Sequence, residues 1–243
     1  PAVRTRDFEM LGITTLLGSG KSYFTGSPGN RGKNIKVVAT KLNGLLIAPG
    51  DEFSAVKYTL PYTTEAGYVP ELVIKGDRIK PEMGGGLCQI GTTLFRMAMN
   101  SGMPITERRN HSLVVPYYND LSNGLPGTDA TLYDPVPDFK FKNDTGNYVL
   151  IQTKVNEKKG ELTFELWGTS DGRTGSYDPP VLKKWIPYGA TRTIESSTLA
   201  PGEKKCQHAY TGALTSFVYH RILADGTTED RVFDSAYRPL PEI

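Results

Sequence analysis

The stretch of sequence that decides the predicted fold is a glycine turn leading into an apolar helix: Gly84-Gly85-Gly86-Leu87-Cys88-Gln89-Ile90-Gly91-Thr92-Thr93-Leu94-Phe95. Consecutive glycines allow backbone conformations that other residues avoid, so a tight turn is expected directly before Cys88. Beyond it, apolar residues recur at the spacing of one helical face, at Ile90, Leu94, Met97 and Ala98. Gly102 and Pro104 are typical of a helix end. The stretch therefore predicts a helix over residues 88–100 with a cysteine at its start.

Outward from this helix, the chain alternates between one further helix and many short strands. Residues 30–43 place their apolar positions on one helical face, which predicts a helix that Gly44 ends. Residues 18–32 are rich in turn-forming residues and predict a loop. The predicted strands lie at residues 13–17, 45–54 (two strands around a Pro-Gly turn), 71–75, 113–118, 129–133, 148–153, 162–167, 191–194, 216–222 and 231–233. This pattern predicts an α+β fold with a helix packed on an antiparallel sheet, and we expect its core to resemble that of papain-like or transglutaminase-like proteins.

A change in composition divides the chain into two predicted parts. Residues 169–180 are polar and contain glycine and proline, which is typical of a connection between domains. We therefore predict a domain over residues 1–170 that carries the Cys/His site. A small all-β module is expected over residues 171–243, and we find no catalytic constellation in it.

Composition and charge limit the classes of protein that fit. The chain has 243 residues and a net charge of +2, with scattered basic residues, so no nucleic-acid partner is expected. No apolar run reaches the length of a membrane-spanning helix. Because the sequence begins with Pro1, we expect a signal or membrane anchor to lie outside it. The two cysteines do not form a disulfide framework, although a single Cys88–Cys206 bond is an alternative. The sequence gives no indication of the oligomeric state.

Three residues form a candidate catalytic set. A helix start favours the thiolate of Cys88, because unpaired N–H groups and the helix dipole stabilise negative charge there. His111 opens a predicted strand and is a candidate general base and acid. Asp129 opens the next predicted strand, so antiparallel pairing would place it beside His111 as the group that orients the imidazole. The order of Cys, His and Asp on helix, strand and strand is that of papain-like and transglutaminase-like enzymes.

Other residues near this set have predicted supporting roles. The side chain of Gln89 and the N–H groups around Cys88 are candidate oxyanion donors, and Gly86 and Thr92 are expected to support them. The candidate substrate-binding residues are Arg108, Arg109, Tyr68 and Tyr117, the first two as a clamp for a carboxylate and the tyrosines, with Tyr62, as walls of a groove. No cofactor is expected. No metal is expected either, because one Cys and one His without a second close pair do not match zinc spacing.

Structural interpretations compete with each of these roles. Cys88 could be a small buried hydrophobe, and His111 could bind a backbone carbonyl. Asp120, Asp134 and Asp138 compete with Asp129 as the orienting carboxylate. Residues 107–109 could be solvated surface.

Several blocks of this sequence, in order, resemble the VanW family of bacterial proteins. The matching blocks are residues 31–35 (Arg-Gly-Lys-Asn-Ile), 49–54 (Pro-Gly-Asp-Glu-Phe-Ser), 67–68 (Gly-Tyr), 84–90 (Gly-Gly-Gly-Leu-Cys-Gln-Ile), 92–95 (Thr-Thr-Leu-Phe), 107–112 (Glu-Arg-Arg-Asn-His-Ser), 127–131 (Gly-Thr-Asp-Ala-Thr) and 138–143 (Asp-Phe-Lys-Phe-Lys-Asn). Gly91 and Phe95 depart from the serine and tyrosine that are common in the family. The resemblance implies an extracytoplasmic protein of the cell envelope, often membrane-anchored and named for its occurrence in vancomycin-resistance gene clusters.

Together these observations predict a cysteine-dependent acyl transfer on peptidoglycan stem peptides, either hydrolysis or transpeptidation. The first alternative is a non-catalytic module that binds the same peptides. The second is a structural envelope protein, in which Cys88 would be sealed in apolar packing or bonded to Cys206.

Overall fold

The computed structural model describes residues 9–26, 29–75, 78–195, 197, 199–200 and 202–243. The α-helices are α1 (Gly29–Leu42), α2 (Ala55–Thr59) and α3 (Leu87–Asn100), and a short 3-10 helix spans Pro116–Tyr118. The strands are β1 (Thr15–Tyr23), β2 (Leu45–Ile47), β3 (Glu52–Ser54), β4 (Pro70–Lys75), β5 (Arg78–Met83), β6 (Ile105–Glu107), β7 (Lys140–Lys142), β8 (Val149–Asn156), β9 (Glu161–Gly168), β10 (Thr174–Tyr177), β11 (Val181–Ile186), β12 (Gly212–Ile222) and β13 (Thr228–Tyr237).

The strands form antiparallel sheets around few helices, which confirms the α+β prediction at that level. The first sheet has the order β1-β9-β8-β2, and α3 contacts β1 and β9 while α1 contacts β8. A second sheet has the order β3-β7-β6, and β4 pairs with β5. In the C-terminal part, β12 pairs with β10, β11 and β13. None of the helices in the described ranges is long and apolar enough to cross a bilayer.

Helix α3 packs directly against strand β1. A Cβ atom on Gly20 would lie 2.1 Å from the Thr93 carbonyl oxygen and 2.4 Å from the Met97 nitrogen, so only glycine fits at this crossing. Ser22, on the same strand, hydrogen-bonds the Thr93 hydroxyl at 2.6 Å. The close approach fixes the helix that carries Cys88 on the sheet.

The hydrophobic core continues from the first sheet into the C-terminal sheet. The Phe95 ring lies 6.3 Å from Phe217 on β12 and 5.3 Å from Phe233 on β13, measured between ring centroids. Tyr219 donates from its hydroxyl to the Met103 carbonyl at 2.9 Å. The division into parts at residue 170 stays a prediction, and these contacts show that the C-terminal sheet packs on α3.

Four sequence predictions of secondary structure need correction. Residues 113–118 form a loop and the 3-10 helix, because Pro116 lacks the N–H that a central strand requires. Residues 129–133 are also a loop, although the Thr131 N–H donates to the Arg109 carbonyl at 2.8 Å. Residues 191–194 are irregular and exposed. The predicted loop over residues 18–32 is shorter than expected, since β1 extends to Tyr23 and α1 begins at Gly29.

Candidate active site

Cys88 lies in the first turn of α3, directly after the glycine turn. Gly86 is the N-cap residue with a φ of 107°, a conformation that favours glycine, and it has no side chain to cap the helix. The N–H groups of Leu87 and Gln89 donate to the carbonyls of Gly84 and Gly86. The Cys88 N–H has no acceptor among the described residues. The helix start therefore offers one free backbone donor beside the sulfur.

Asn34, on α1, holds the glycine turn in place. Its amide nitrogen donates to the Gly85 carbonyl at 2.8 Å and to the Val69 carbonyl at 2.9 Å. Its amide oxygen accepts from the Val69 N–H at 2.9 Å. Because Asn34 is fully buried, these bonds tie the turn to α1 without competition from water.

His111 and Asp129 form a buried pair. The Nδ1 atom of His111 lies 2.5 Å from Oδ2 of Asp129, and the same oxygen accepts the His111 backbone N–H at 2.7 Å. The imidazole stacks on the Tyr118 ring, with a centroid distance of 4.7 Å. Nε2 is buried and makes no hydrogen bond within the described residues. The predicted partnership is therefore present, although both residues come from loops.

The competing aspartates have other partners or positions. Asp138 accepts from Ser54 at 2.5 Å and from the Val56 N–H at 2.9 Å, which fixes the start of α2. Asp120 accepts from the Thr128 hydroxyl at 3.1 Å. Asp134 lines the cavity described below. Asp129 is thus the carboxylate bonded to the imidazole.

Arg108 is part of the support for Asp129, which corrects its predicted role as a substrate clamp. Its guanidinium donates to the carbonyls of Asp129 and Gly127, both at 2.7 Å, and to the Ser235 hydroxyl at 2.9 Å. It also forms an ion pair with Asp129 at 3.4 Å. The Tyr237 hydroxyl donates to the same carboxylate. Arg108 is therefore occupied in fixing the loop that carries Asp129.

Thr92 fixes the same loop from the side of α3. Its hydroxyl accepts from the Ala130 N–H at 3.1 Å and lies 3.3 Å from the Ala130 carbonyl oxygen, to which it donates. Thr92 is fully buried. It therefore supports the site by placing residues 129–130 beside the helix.

Cys88 and His111 line one cavity of about 630 Å³, together with residues of the glycine turn, β4–β5 and the loop over residues 131–137. Cys88 is partly exposed there, and the thiol donates to the Leu132 carbonyl at 3.6 Å. Cys88 and Cys206 are both free cysteines. The alternative of a disulfide or a sealed cysteine is therefore wrong.

The charges of the site favour a thiolate and an imidazolium. Burial alone would raise the pKa of the Cys88 thiol, but the nearby His111, and Arg31 to a smaller extent, bring this pKa below its usual value. Burial alone would lower the pKa of His111, but the Cys88 charge and the Asp129 carboxylate raise this pKa to about 9. Burial alone would raise the pKa of Asp129. The hydrogen bond and charge of His111, together with the charge of Arg108, lower this pKa well below its usual value.

The side chain of Gln89 does not reach toward the sulfur, contrary to the predicted oxyanion role. It is fully buried, and its amide nitrogen donates to Ser22 at 3.0 Å. Its amide oxygen accepts from Nε and Nη2 of Arg31, at 3.2 and 3.1 Å. The backbone N–H of Cys88, another predicted oxyanion donor, has no acceptor among the described residues.

The predicted substrate-binding residues have different locations. Tyr117 lines the cavity and is half exposed, as expected for a wall. Tyr68 is fully buried and donates to the Thr59 carbonyl at 2.5 Å, so it does not form a wall. Arg109 is exposed and does not line the cavity. Tyr62, which was predicted to form a wall of the groove, does line the cavity.

Sequence reasoning missed two contributors. Arg31 lines the cavity and binds Gln89, and Tyr118 stacks on His111. Arg31 lies within one of the blocks quoted above, but nothing in its neighbourhood along the chain indicates that it reaches Gln89. Tyr118 ends the 3-10 helix that begins at Pro116. The sequence predicted a strand there, and a strand would not have indicated that Tyr118 lies beside the imidazole.

The fold and site define an α+β protein with a cysteine and a histidine at one cavity and a buried aspartate bonded to the histidine. The family model described as VanW-like protein matches residues 30–167, so the chain belongs to the VanW-like protein family. No solved structure matches the chain.

Two relatives illustrate the relationship. The chain is 32% identical over 150 residues to "Uncharacterized protein YoaR" of Bacillus subtilis (strain 168), covering 61% of this chain and 48% of that protein. It is 29% identical over 142 residues to "Vancomycin B-type resistance protein VanW" of Enterococcus faecalis (strain ATCC 700802 / V583), covering 58% of this chain and 46% of that protein. The chain thus spans about half the length of the curated relatives that it matches.

Proposed function

We propose that the protein is a cysteine-dependent acyl-transfer enzyme that acts on peptidoglycan stem peptides in the cell envelope. The observation that carries this proposal is the shared cavity of Cys88 and His111, in which Asp129 holds Nδ1 and Nε2 has no hydrogen-bond partner among the described residues. An imidazole held in this way has one nitrogen left to exchange a proton with the reacting groups.

The proposed reaction has two steps. The Cys88 thiolate attacks the carbonyl carbon of an amide bond, the C–N bond breaks, and His111 Nε2 gives its proton to the leaving amine. A thioester remains on Cys88. Water or an acceptor amine then attacks the thioester and gives a proton to Nε2, and the C–S bond breaks to release an acid or a new amide. Hydrolysis and transpeptidation differ only in this second nucleophile.

The Cys88 N–H is the proposed oxyanion donor. It has no acceptor among the described residues, and it belongs to the residue whose sulfur attacks. A backbone donor at a helix start is fixed in direction and supported by the helix dipole. Developing charge on the carbonyl oxygen would therefore meet a donor that needs no rearrangement.

The cellular context of the proposal rests on the family. One relative carries the printed name of a vancomycin resistance protein, and this name supports a substrate in the cell wall. The order of Cys, His and Asp along the chain supports a chemistry like that of papain-like or transglutaminase-like enzymes. We place the site outside the cytoplasm on the same basis.

A second candidate function is binding without catalysis. Tyrosines line the cavity, at positions 62, 117, 118 and 133, and aromatic walls are typical of binding sites. In its neutral form the Cys88 thiol donates to the Leu132 carbonyl at 3.6 Å, a contact that holds it in the cavity wall. Under this candidate, stem peptides bind in the cavity and leave unchanged.

The test incubates wild-type protein and the variant Cys88→Ala with muropeptides and follows the products by mass spectrometry. The proposal expects products from the wild type and none from Cys88→Ala. The exposed variant Cys206→Ser is the matched control and should retain the wild-type rate. Equal turnover by Cys88→Ala would contradict the nucleophile assignment, and binding without turnover by both proteins would favour the second candidate.

A further inference from the structure

The guanidinium of Arg31 is a buried cation at the wall of the Cys88 cavity. The residue is 7% exposed and lines the same cavity as Cys88. Besides Gln89, its partners are two phenols: Nη2 donates to Tyr118 at 2.5 Å, and Nη1 donates to Tyr117 at 3.2 Å. The guanidinium carbon also lies 4.5 Å from the centroid of the Tyr117 ring. None of these partners is a carboxylate.

Within the described residues, no carboxylate lies within ion-pair distance of Arg31. The other buried arginine at the site, Arg108, has Asp129 as its counter-charge. A buried charge is costly unless an opposite charge compensates it, so buried arginines usually have a carboxylate or phosphate partner. Arg31 has the position of a cation whose counter-charge comes from a ligand.

The guanidinium also retains a donor for such a ligand. A guanidinium has five N–H groups, and Arg31 uses four of them in its bonds to Gln89, Tyr117 and Tyr118. The remaining N–H is on Nη1, the nitrogen that contacts Tyr117. Tyr117, which accepts from this nitrogen, lines the cavity and is 51% exposed.

The charge of the rest of the cavity limits the ligand. Glu82 and Asp134 also line it, so a polyanion would meet repulsion. The cavity volume of about 630 Å³ fits a short peptide rather than a single small ion. A peptide with one carboxylate placed near Arg31 supplies an ion-pair partner for this guanidinium and avoids the two acidic groups.

We propose that Arg31 binds a free carboxylate of the peptide that delivers its acyl group to Cys88, an inference that rests on the proposed function. The carboxylate accepts from Nη1 and forms the ion pair that no carboxylate of the described residues forms with Arg31. Recognition of this kind holds the peptide with its scissile bond beside the sulfur and discriminates against peptides in which the carboxylate is amidated.

The test measures binding by calorimetry to the Cys88→Ala variant, so that no chemistry intervenes. The probes are the lysine-type stem pentapeptide, which has an internal and a C-terminal carboxylate, and two derivatives in which one or the other is amidated. We expect one amidation to weaken binding by about 10- to 100-fold, the loss of a hydrogen bond to a charged group, and the other to have little effect.

The variant Arg31→Gln, combined with Cys88→Ala, should bind all three peptides alike. Arg109→Gln in the same background is the matched control, because Arg109 is exposed outside the cavity, and it should retain the discrimination. Equal binding of the three peptides by the Cys88→Ala variant, or no binding of any of them, would overturn the inference. It would also be overturned if Arg31→Gln weakened binding but the variant still discriminated between the peptides. If the protein discriminates between the peptides in binding but the wild type does not turn them over, the carboxylate site is supported and the proposed acyl transfer is contradicted.

Discussion

His111 has two ring nitrogens with different surroundings, and this difference defines the site at the scale of the residue. Nδ1 is fixed by Asp129, which is itself fixed by Arg108 and Tyr237. Nε2 has no partner among the described residues, while the charge of the ring acts on Cys88. The pKa of the thiol is lowered and the pKa of the imidazole is raised, and both directions favour the charged pair.

This pair predicts how the reactivity of Cys88 depends on pH. Because its pKa is lowered, the thiol is ionised at a lower pH than a free cysteine, and the raised pKa of His111 keeps the imidazolium until about pH 9. In a Cys206→Ser background, we expect iodoacetamide to alkylate Cys88 readily at about pH 6.5, where an ordinary thiol is slow.

The matched comparison is His111→Ala in the same background. Without the imidazolium, burial outweighs the smaller opposing effect of Arg31 and the pKa of the thiol rises, so alkylation at about pH 6.5 should fall by about tenfold or more, since one pKa unit is a factor of ten. The rate of the variant should then rise with pH, and mass spectrometry of the labelled peptide measures both profiles. Overlapping profiles for the two proteins would show that His111 does not influence the thiol.

The sequence identified which residue types form the site better than it identified the hydrogen bonds between them. Cys88, His111 and Asp129 were accessible from residue type, order and the glycine turn, and the structure brings His111 and Asp129 together. The hydrogen bonds between the side chains of Gln89 and Arg31 could not be predicted from the sequence, because the two residues are 58 positions apart. The internal partners of Arg108 could not be found either, because Gly127, Asp129 and Ser235 lie 19, 21 and 127 positions away in the sequence.

At the scale of the element, α3 is positioned by its close crossing with β1. A methyl group on Gly20 would meet backbone atoms of α3, which cannot rotate away. We expect Gly20→Ala to lower the free energy of unfolding by about 1–3 kcal/mol or more, the usual cost of overpacking. The measurement is urea denaturation. Gly189→Ala is the control because a Cβ there meets nothing within 4 Å, and equal stabilities for the two variants would contradict this packing.

The elements that the sequence predicted well are those with a long periodic pattern. The apolar spacing of α3 and α1 extends over 14 residues in each helix, and both helices were found at nearly their observed bounds. Residues 113–115 are also apolar and partly buried, but Pro116 and the turn after it end any strand pattern. Short apolar runs fit a buried loop as well as a strand, so their pairing could not be read from the sequence.

At the scale of the whole molecule, the C-terminal sheet supports the site that the first part of the chain carries. Phe217 and Phe233 pack on Phe95 of α3, and Tyr237 and Ser235 bind Asp129 and Arg108. The segments on either side of residue 170 therefore share packing and polar contacts. We expect them to unfold together.

Phe233→Ala tests this expectation. Phe233 is buried, and its truncation should cost about 3–5 kcal/mol because it leaves a cavity beside Phe95. Val232→Ala, on the exposed face of the same strand, should have little effect. We expect one denaturation transition, shifted as a whole, when fluorescence and circular dichroism are followed. Two transitions, of which only one shifts, would show that the C-terminal sheet is an independent module.

The central claim is that Cys88 carries an acyl group during the reaction, and the most direct measurement is mass spectrometry of the protein quenched during turnover of stem peptides. The account predicts an added acyl mass on the peptide that contains Cys88, no such mass on Cys206, and no adduct in the Cys88→Ala variant. Product that accumulates while Cys88 stays unmodified, at a rate that Cys88→Ala retains, would contradict it.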